Sequence, residues 1–225
     1  MNVYPLNPIL RPQIQSFDID ARTRSGGELA VTGREQVIGT GLGRWVANVQ
    51  IRVHNQATVR AARALAWKMK GREHAVLMGP CDCSNASFAG NIITGIPYSQ
   101  PGGILTLHSD GTGFSQGGQL PVVLATSAYR NTFVDIIVND AVELGEGIFM
   151  GFGDKLYGVV GVQTLSPTTK RIHVEPSLRE AVTTATPIRL CDARCPMRAV
   201  SDDVARLELN LSRWGTFTLN MYEVY

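Results

Sequence analysis

Apolar and polar residues alternate most cleanly in two parts of the chain. Across Trp45–Val53, Trp45, Ala47, Val49, Ile51 and Val53 share one face, with Val46, Asn48, Gln50 and Arg52 on the other. That is the period of a strand with one face buried, and it makes Trp45 a core residue. The second part runs from Gly147 to Leu190. Ile148, Met150 and Phe152 alternate with Phe149 and Gly151 up to Gly153-Asp154, and the β-branched run Leu156–Val162 follows, which predicts a hairpin. After a polar turn at Ser166–Lys170, Ile172 and Val174 alternate with His173 and Glu175. Pro176 has no amide hydrogen for a ladder and stops that strand. Ser177–Val182 then reads as a corner, and Pro187–Leu190 as a renewed strand. This succession describes a small antiparallel barrel or sandwich.

The period changes to 3.6 only between Ala57 and Lys70, where Val59, Ala62, Ala66 and Met69 are three or four apart. One helix is predicted there, with Gly71 as its C-cap. Its Arg60, Arg63, Lys68 and Lys70 lie mostly elsewhere on the wheel and read as the solvated side of a packed helix rather than a phosphate-binding face. Met1–Pro12, with Pro5, Pro8 and Pro12, reads as an extended arm of the kind that docks on a neighbour. Gln13–Ala21 is a strand with Phe17 and Ile19 on its apolar face, and Arg22–Gly43 a glycine-rich loop around a short strand at Gln36–Ile38. His74–Met78 is a strand ended by Gly79-Pro80. Cys81–Gly118 is an insertion with a short strand at Ile104–His108, and Gln119–Ala125 and Phe133–Val138 resume strand text.

The expected fold class is therefore mainly β: antiparallel β-sandwich or barrel modules with one short α-helix and a long loop insertion. The expected organisation is an arm at 1–12, a β-rich domain at 13–118 and a C-terminal module at 119–225.

Composition agrees with an ordered, turn-rich chain. Of 225 residues, 44% are hydrophobic and 18% charged, with 23 glycines and 11 prolines. A net charge of +2 spread along the chain forms no basic stripe, so no direct nucleic-acid recognition is expected. The first residues lack a charged-then-apolar leader, and no apolar run reaches bilayer length. Synthesis in the cytosol and no membrane partner are expected.

Candidate chemistry is sparse. Gly39-Thr40-Gly41-Leu42-Gly43 resembles a phosphate-cradling loop, but no Lys-Ser/Thr pair follows and a strand comes next, so it reads as a flexible turn. His54, His74, His108 and His173 stand at no ligand or catalytic spacing. Ser87, Ser99, Ser109 and Ser115 sit in loops without a nucleophile elbow. Asp202-Asp203 and Glu143/Glu146 lie in polar turns where both members ionise. Cys81-Asp82-Cys83 with Cys191 and Cys195 would supply four thiolates for zinc. Cys-x-Cys is tighter than the usual ligand pair, so packed thiols are favoured. No catalytic, cofactor-binding or metal residue is assigned, and a non-enzymatic role is expected. Trp67, Tyr98 and Tyr129 would suit sugar stacking in a carbohydrate-binding or hydrolytic β-domain, but internal packing is the expected fate of such aromatics.

The run GFGDKLYGVVGVQTLSPTTKRIHVEPSLREAVTTATPIRL resembles a module of tailed-bacteriophage tail proteins. In that module a Gly-Asp hairpin with a tyrosine precedes a strand ending in Pro-x-Leu-Arg. Pro176, Leu178 and Arg179 fit, while Ser177 stands where a second proline is common. SGGELAVTGREQVIGTGLGRWVANVQIRV is similar to tail-tip and distal tail proteins, in which glycine-rich text leads into a tryptophan-bearing strand. The resemblance implies a virion structural protein of the tail tip, baseplate or distal tube end, assembled in the host bacterial cytoplasm. Its implied partners are other tail proteins in a homo-oligomeric ring, with a head-to-tail connector as a variant. The segments expected at interfaces are Arg22–Gly43 and Cys81–Gly118.

Overall fold

The computed structural model describes residues 1–21, 23–28, 35–39, 43–80, 99–100, 104–105, 121–138, 144–190, 193–202 and 215–225. In chain order the elements are Val3–Pro5 (β1), Pro12–Asp20 (β2), Thr23–Glu28 (β3), Glu35–Gly39 (β4), Arg44–Val53 (β5), Gln56–Met69 (α1), Ala75–Met78 (β6), Ser99–Gln100 (β7) and Ile104–Leu105 (β8). There follow Val122–Val123 (β9), Phe133–Ile137 (β10), Phe149–Phe152 (β11), Lys155–Ser166 (β12), Thr169–Glu175 (β13), Ile188–Arg189 (β14), Cys195–Ala199 (β15) and Gly215–Glu223 (β16). The protein is mainly β with a single helix among the described residues, which is the class the periodicities predict.

Contacts divide the chain into two compact units. The first contains Met1–Cys81, Asp154–Leu156 and Asp192–Tyr225; the second contains Asp82–Gly153 and Tyr157–Cys191. This division does not follow the 13–118 and 119–225 segments of the sequence reading. The reason is strand pairing: β16 runs antiparallel to β5 from Gly215↔Val53 to Tyr222↔Val46, which carries the chain's last residues back to its first sheet.

The first unit holds a six-stranded sheet in the order β1-β6-β15-β16-β5-β2. Trp45, Ala47, Val49, Ile51 and Val53 are all buried, and Phe217, Leu219 and Met221 bury the matching face of β16. The Trp45 indole N–H donates to the Leu156 carbonyl at 2.7 Å, and its backbone N–H to the Glu223 carboxylate at 3.2 Å. These bonds satisfy polar groups that would otherwise be costly to bury. The 1–12 segment is not left as a free arm: β1 pairs in parallel with β6, Val3 opposite Ala75, and Leu10 is buried. Within Arg22–Gly43, the described residues form an antiparallel hairpin of β3 with β4 rather than a loop around one short strand.

Helix α1 starts at Asn55, whose side chain accepts the Thr58 N–H at 2.8 Å while the Thr58 hydroxyl accepts the Asn55 N–H at 3.1 Å. This reciprocal cap satisfies two donors that a helix start leaves open. At the other end Lys70 is the cap, in left-handed conformation at φ 45°, and Gly71 follows at φ 68°. The left-handed turn thus begins one residue before the glycine chosen from sequence.

The second unit holds a six-stranded sheet in the order β14-β11-β12-β13-β10-β9. It contains the predicted hairpin, with Gly153 at φ 62° in the turn, where the absence of a Cβ makes that conformation inexpensive. β12 and β13 pair across the Ser166–Thr169 turn, and β10 pairs with β13 from Phe133↔His173 to Ile137↔Thr169. Val134, Ile136, Met150, Phe152, Tyr157 and Ile172 are among its fully buried core residues. Among the described residues neither six-stranded order closes on itself, so each sheet is open where the sequence left a barrel as an option. Most of the Cys81–Gly118 insertion lies outside the described residues; the part described is the two-residue pairing of β7 with β8.

Candidate functional site

Tyr157 of the Gly-Asp hairpin and the segment Pro176–Arg179 meet in one corner of the second unit. Tyr157 comes from the start of β12, where alternation turns it into the core, and it is 0% exposed, with its ring tilted against Phe152 at 5.6 Å between centroids. Its hydroxyl accepts the backbone N–H of Arg179 at 2.9 Å. β13 ends at Glu175, the Glu175–Pro176 peptide is cis, and Pro176, Ser177 and Leu178 are buried. The Leu178 N–H donates to the Asn131 carbonyl at 2.8 Å, and the Leu178 carbonyl accepts from the Arg130 N–H at 2.9 Å.

A second turn completes this corner. Ser127 and Val182 exchange backbone hydrogen bonds at 2.8 and 2.9 Å, the Ser127 hydroxyl donates to the Phe133 carbonyl at 2.7 Å, and the Asn131 amide donates to that hydroxyl at 2.8 Å. Buried backbone groups here are paired one with another, which fixes the corner's shape. The tyrosine of the Gly-Asp hairpin and the Pro-x-Leu-Arg segment are therefore one hydrogen-bonded unit. Alternation gives the burial of Tyr157; no signal in the sequence gives its bond to an amide 22 residues on.

Beside this corner, Arg171 forms a two-pronged ion pair with Asp135, at 2.7 and 2.9 Å, across the β10–β13 ladder. Its guanidinium also lies 4.3 Å from the Phe133 ring centroid. The hydrogen bonds from Arg171 hold the Asp135 carboxyl below the ordinary aspartate range.

The first unit has an open cleft of about 570 Å³ lined by Ile9, Arg11, Pro12, Gln13, Arg52 and His54. A register shift lies in its lining: Pro12 opposes Ile51 while Ile14 opposes Gln50, so Gln13 is the extra residue of a bulge. A lining that holds two guanidiniums and an imidazole together with apolar Ile9 and Pro12 can receive a carboxylate or phosphate group. Sequence spacing separates Arg11 from Arg52 and offers no sign of this meeting.

The other candidate residues are dispersed. His54 is in the cleft; His74 is buried and edge-on to Tyr4 at 5.7 Å; His173 lies 6.2 Å from Phe133 between ring centroids. Asp202 pairs with Arg72 at 3.0 Å, and Glu146 is exposed. Ser99 is placed in β7. His108, Ser87, Ser109, Ser115, Asp203, Glu143 and Tyr98 lie outside the described residues, as do Thr40, Gly41 and Leu42 of the glycine loop. Of the cysteines, Cys195 is buried in β15, whereas Cys81, Cys83 and Cys191 lie outside the described residues. Among the described residues no three histidine, cysteine or acidic side chains group to hold a metal. Two aromatics expected to pack internally do not: Trp67 is 74% exposed and Tyr129 54% exposed. Trp67 projects from the side of α1 away from the buried Val59, Ala62, Leu65 and Met69.

Compared with models of protein families and with curated proteins, the chain matches none.

Proposed function

We propose that this chain is a structural protein of a phage tail, working through protein–protein contacts in a ring at the tail tip, baseplate or distal end of the tube. The observation that carries the reading is the 2.9 Å bond from the Arg179 N–H to the Tyr157 hydroxyl. It joins the tyrosine of the Gly-Asp hairpin to the Pro-x-Leu-Arg segment in one brace, and a brace gives those residues an architectural use. Sheets whose edge strands have no further partner among the described residues also suit a subunit that builds outward by strand or loop contact.

The test is assembly. The purified chain is sized by chromatography with light scattering and imaged by negative stain, alone and mixed with the products of the neighbouring reading frames. A discrete ring, or co-assembly with tail proteins, is the expected result. A monomer that joins none of them overturns the proposal. The exposure of Trp67 and Tyr129 favours a second reading, a carbohydrate-binding domain, because exposed rings are what sugars stack on. That reading predicts saturable glycan binding that is lost in Trp67→Ala or Tyr129→Ala.

A further inference from the structure

We propose that the outer face of α1 is a docking surface for an acidic segment of a partner protein, with Trp67 as its anchor. On a helical wheel Gln56, Arg60, Arg63 and Trp67 fall within an arc of about 60°, Arg60 to Trp67 extends about 10 Å along the axis, and the cap residue Lys70 follows. All five are exposed, and the opposite face is buried by Thr58, Val59, Ala61, Ala62, Leu65 and Met69.

The helix QATVRAARALAWKM has no acidic residue, and among the described residues no carboxylate pairs with Arg60, Arg63 or Lys70. Lys68 points elsewhere, 5.7 Å from the Tyr4 ring centroid. A cationic row with no carboxylate partner among the described residues, around an indole that is 74% exposed, is complementary to carboxylates flanking an apolar group. Trp and Arg are also the side chains that dominate protein–protein hot spots.

The other anionic occupants fit less well. A nucleic acid would have one ring to stack on and three cations for phosphates, on a chain of net charge +2. A lipid surface needs an apolar helix face, and here that face is already buried in the protein. The inference deepens the protein-contact reading by naming the chemistry of one partner surface. Its test uses the isolated chain, so it fails or succeeds independently of ring assembly.

Trp67 supplies the readout. It is 74% exposed while Trp45 is 3% exposed, and subtracting the spectrum of Trp67→Phe isolates its emission. The full chain is titrated with poly-L-glutamate, with oligo-dT and with phosphatidylserine vesicles, at low and at physiological salt. The expected result is that poly-L-glutamate blue-shifts Trp67, shields it from acrylamide and binds more tightly than the other two probes. Arg60→Glu/Arg63→Glu should weaken that binding at least about tenfold, with Arg60→Gln/Arg63→Gln in between, and reversing two half-exposed cations of the second sheet, Lys155→Glu/Lys170→Glu, should leave it within about twofold. Circular dichroism of each variant checks that the fold is kept. Tighter binding to oligo-dT or to vesicles, an equal loss from the Lys155/Lys170 pair, or no change at Trp67 overturns the proposal.

Discussion

Replacing Tyr157 with Phe tests the brace directly. The substitution removes one oxygen and keeps the ring, so packing against Phe152 at 5.6 Å is preserved and no large cavity forms. What is lost is the acceptor for the Arg179 N–H, at a tyrosine with 0% exposure. Depriving the part-buried Arg179 N–H of this acceptor costs up to the about 1–3 kcal/mol of an unsatisfied buried donor, and little transfer energy offsets it because the ring was already buried. For a chain of this size that corresponds to a melting temperature lower by roughly 2–12 °C.

Urea unfolding followed by circular dichroism measures the global effect. Hydrogen exchange of the segment around Arg179 measures the local one: its amide should exchange much faster in Tyr157→Phe, while the β5–β16 ladder of the first unit is unaffected. A stability change under about 0.5 kcal/mol with unchanged protection at Arg179 would refute the claim that the hydroxyl fixes the corner.

Leu178, 1% exposed in the same core, should cost about 2–5 kcal/mol as Leu178→Ala, read by the same urea midpoint. Arg179→Ala should leave any small-molecule turnover untouched, and an activity lost selectively from a folded variant would contradict the structural reading. Gly79→Ala should destabilise the first unit by about 1–3 kcal/mol, because a Cβ there would overlap the Ala193 carbonyl and the backbone must move; unchanged thermal stability would show that it need not. Asp135 has a folded pKa below its unfolded value, so its stabilisation is present above the ordinary aspartate pKa of about 3.9 and is lost as pH falls through the folded value. Asp135→Asn should therefore be less stable than the parent at neutral pH, and the difference should shrink in acid melts; a constant difference would rule the ion pair out as its source.

The local elements of this protein are legible in its sequence because each rests on residues close together in the chain. Burial on one face sets the alternation of Trp45–Val53, Gly153 marks the turn between β11 and β12, and the Asn55 cap with a 3.6-residue period marks α1. The helix wheel even separates Trp67 from Val59, Ala62 and Met69. Expecting the ring to be buried followed residue type instead, and the geometry of the helix decided otherwise.

What the sequence alone did not determine is which distant segments meet. Gly215–Glu223 has the same alternation as β5, yet nothing local says that it pairs with β5, that Val3–Pro5 runs parallel to Ala75–Met78, or that Arg11 faces the same cleft as Arg52 and His54. Strand pairing uses backbone groups common to every residue, so many partners are locally equivalent. The choice among them falls to the burial of whole faces and the pairing of every buried polar group, and those quantities exist only once the chain has folded.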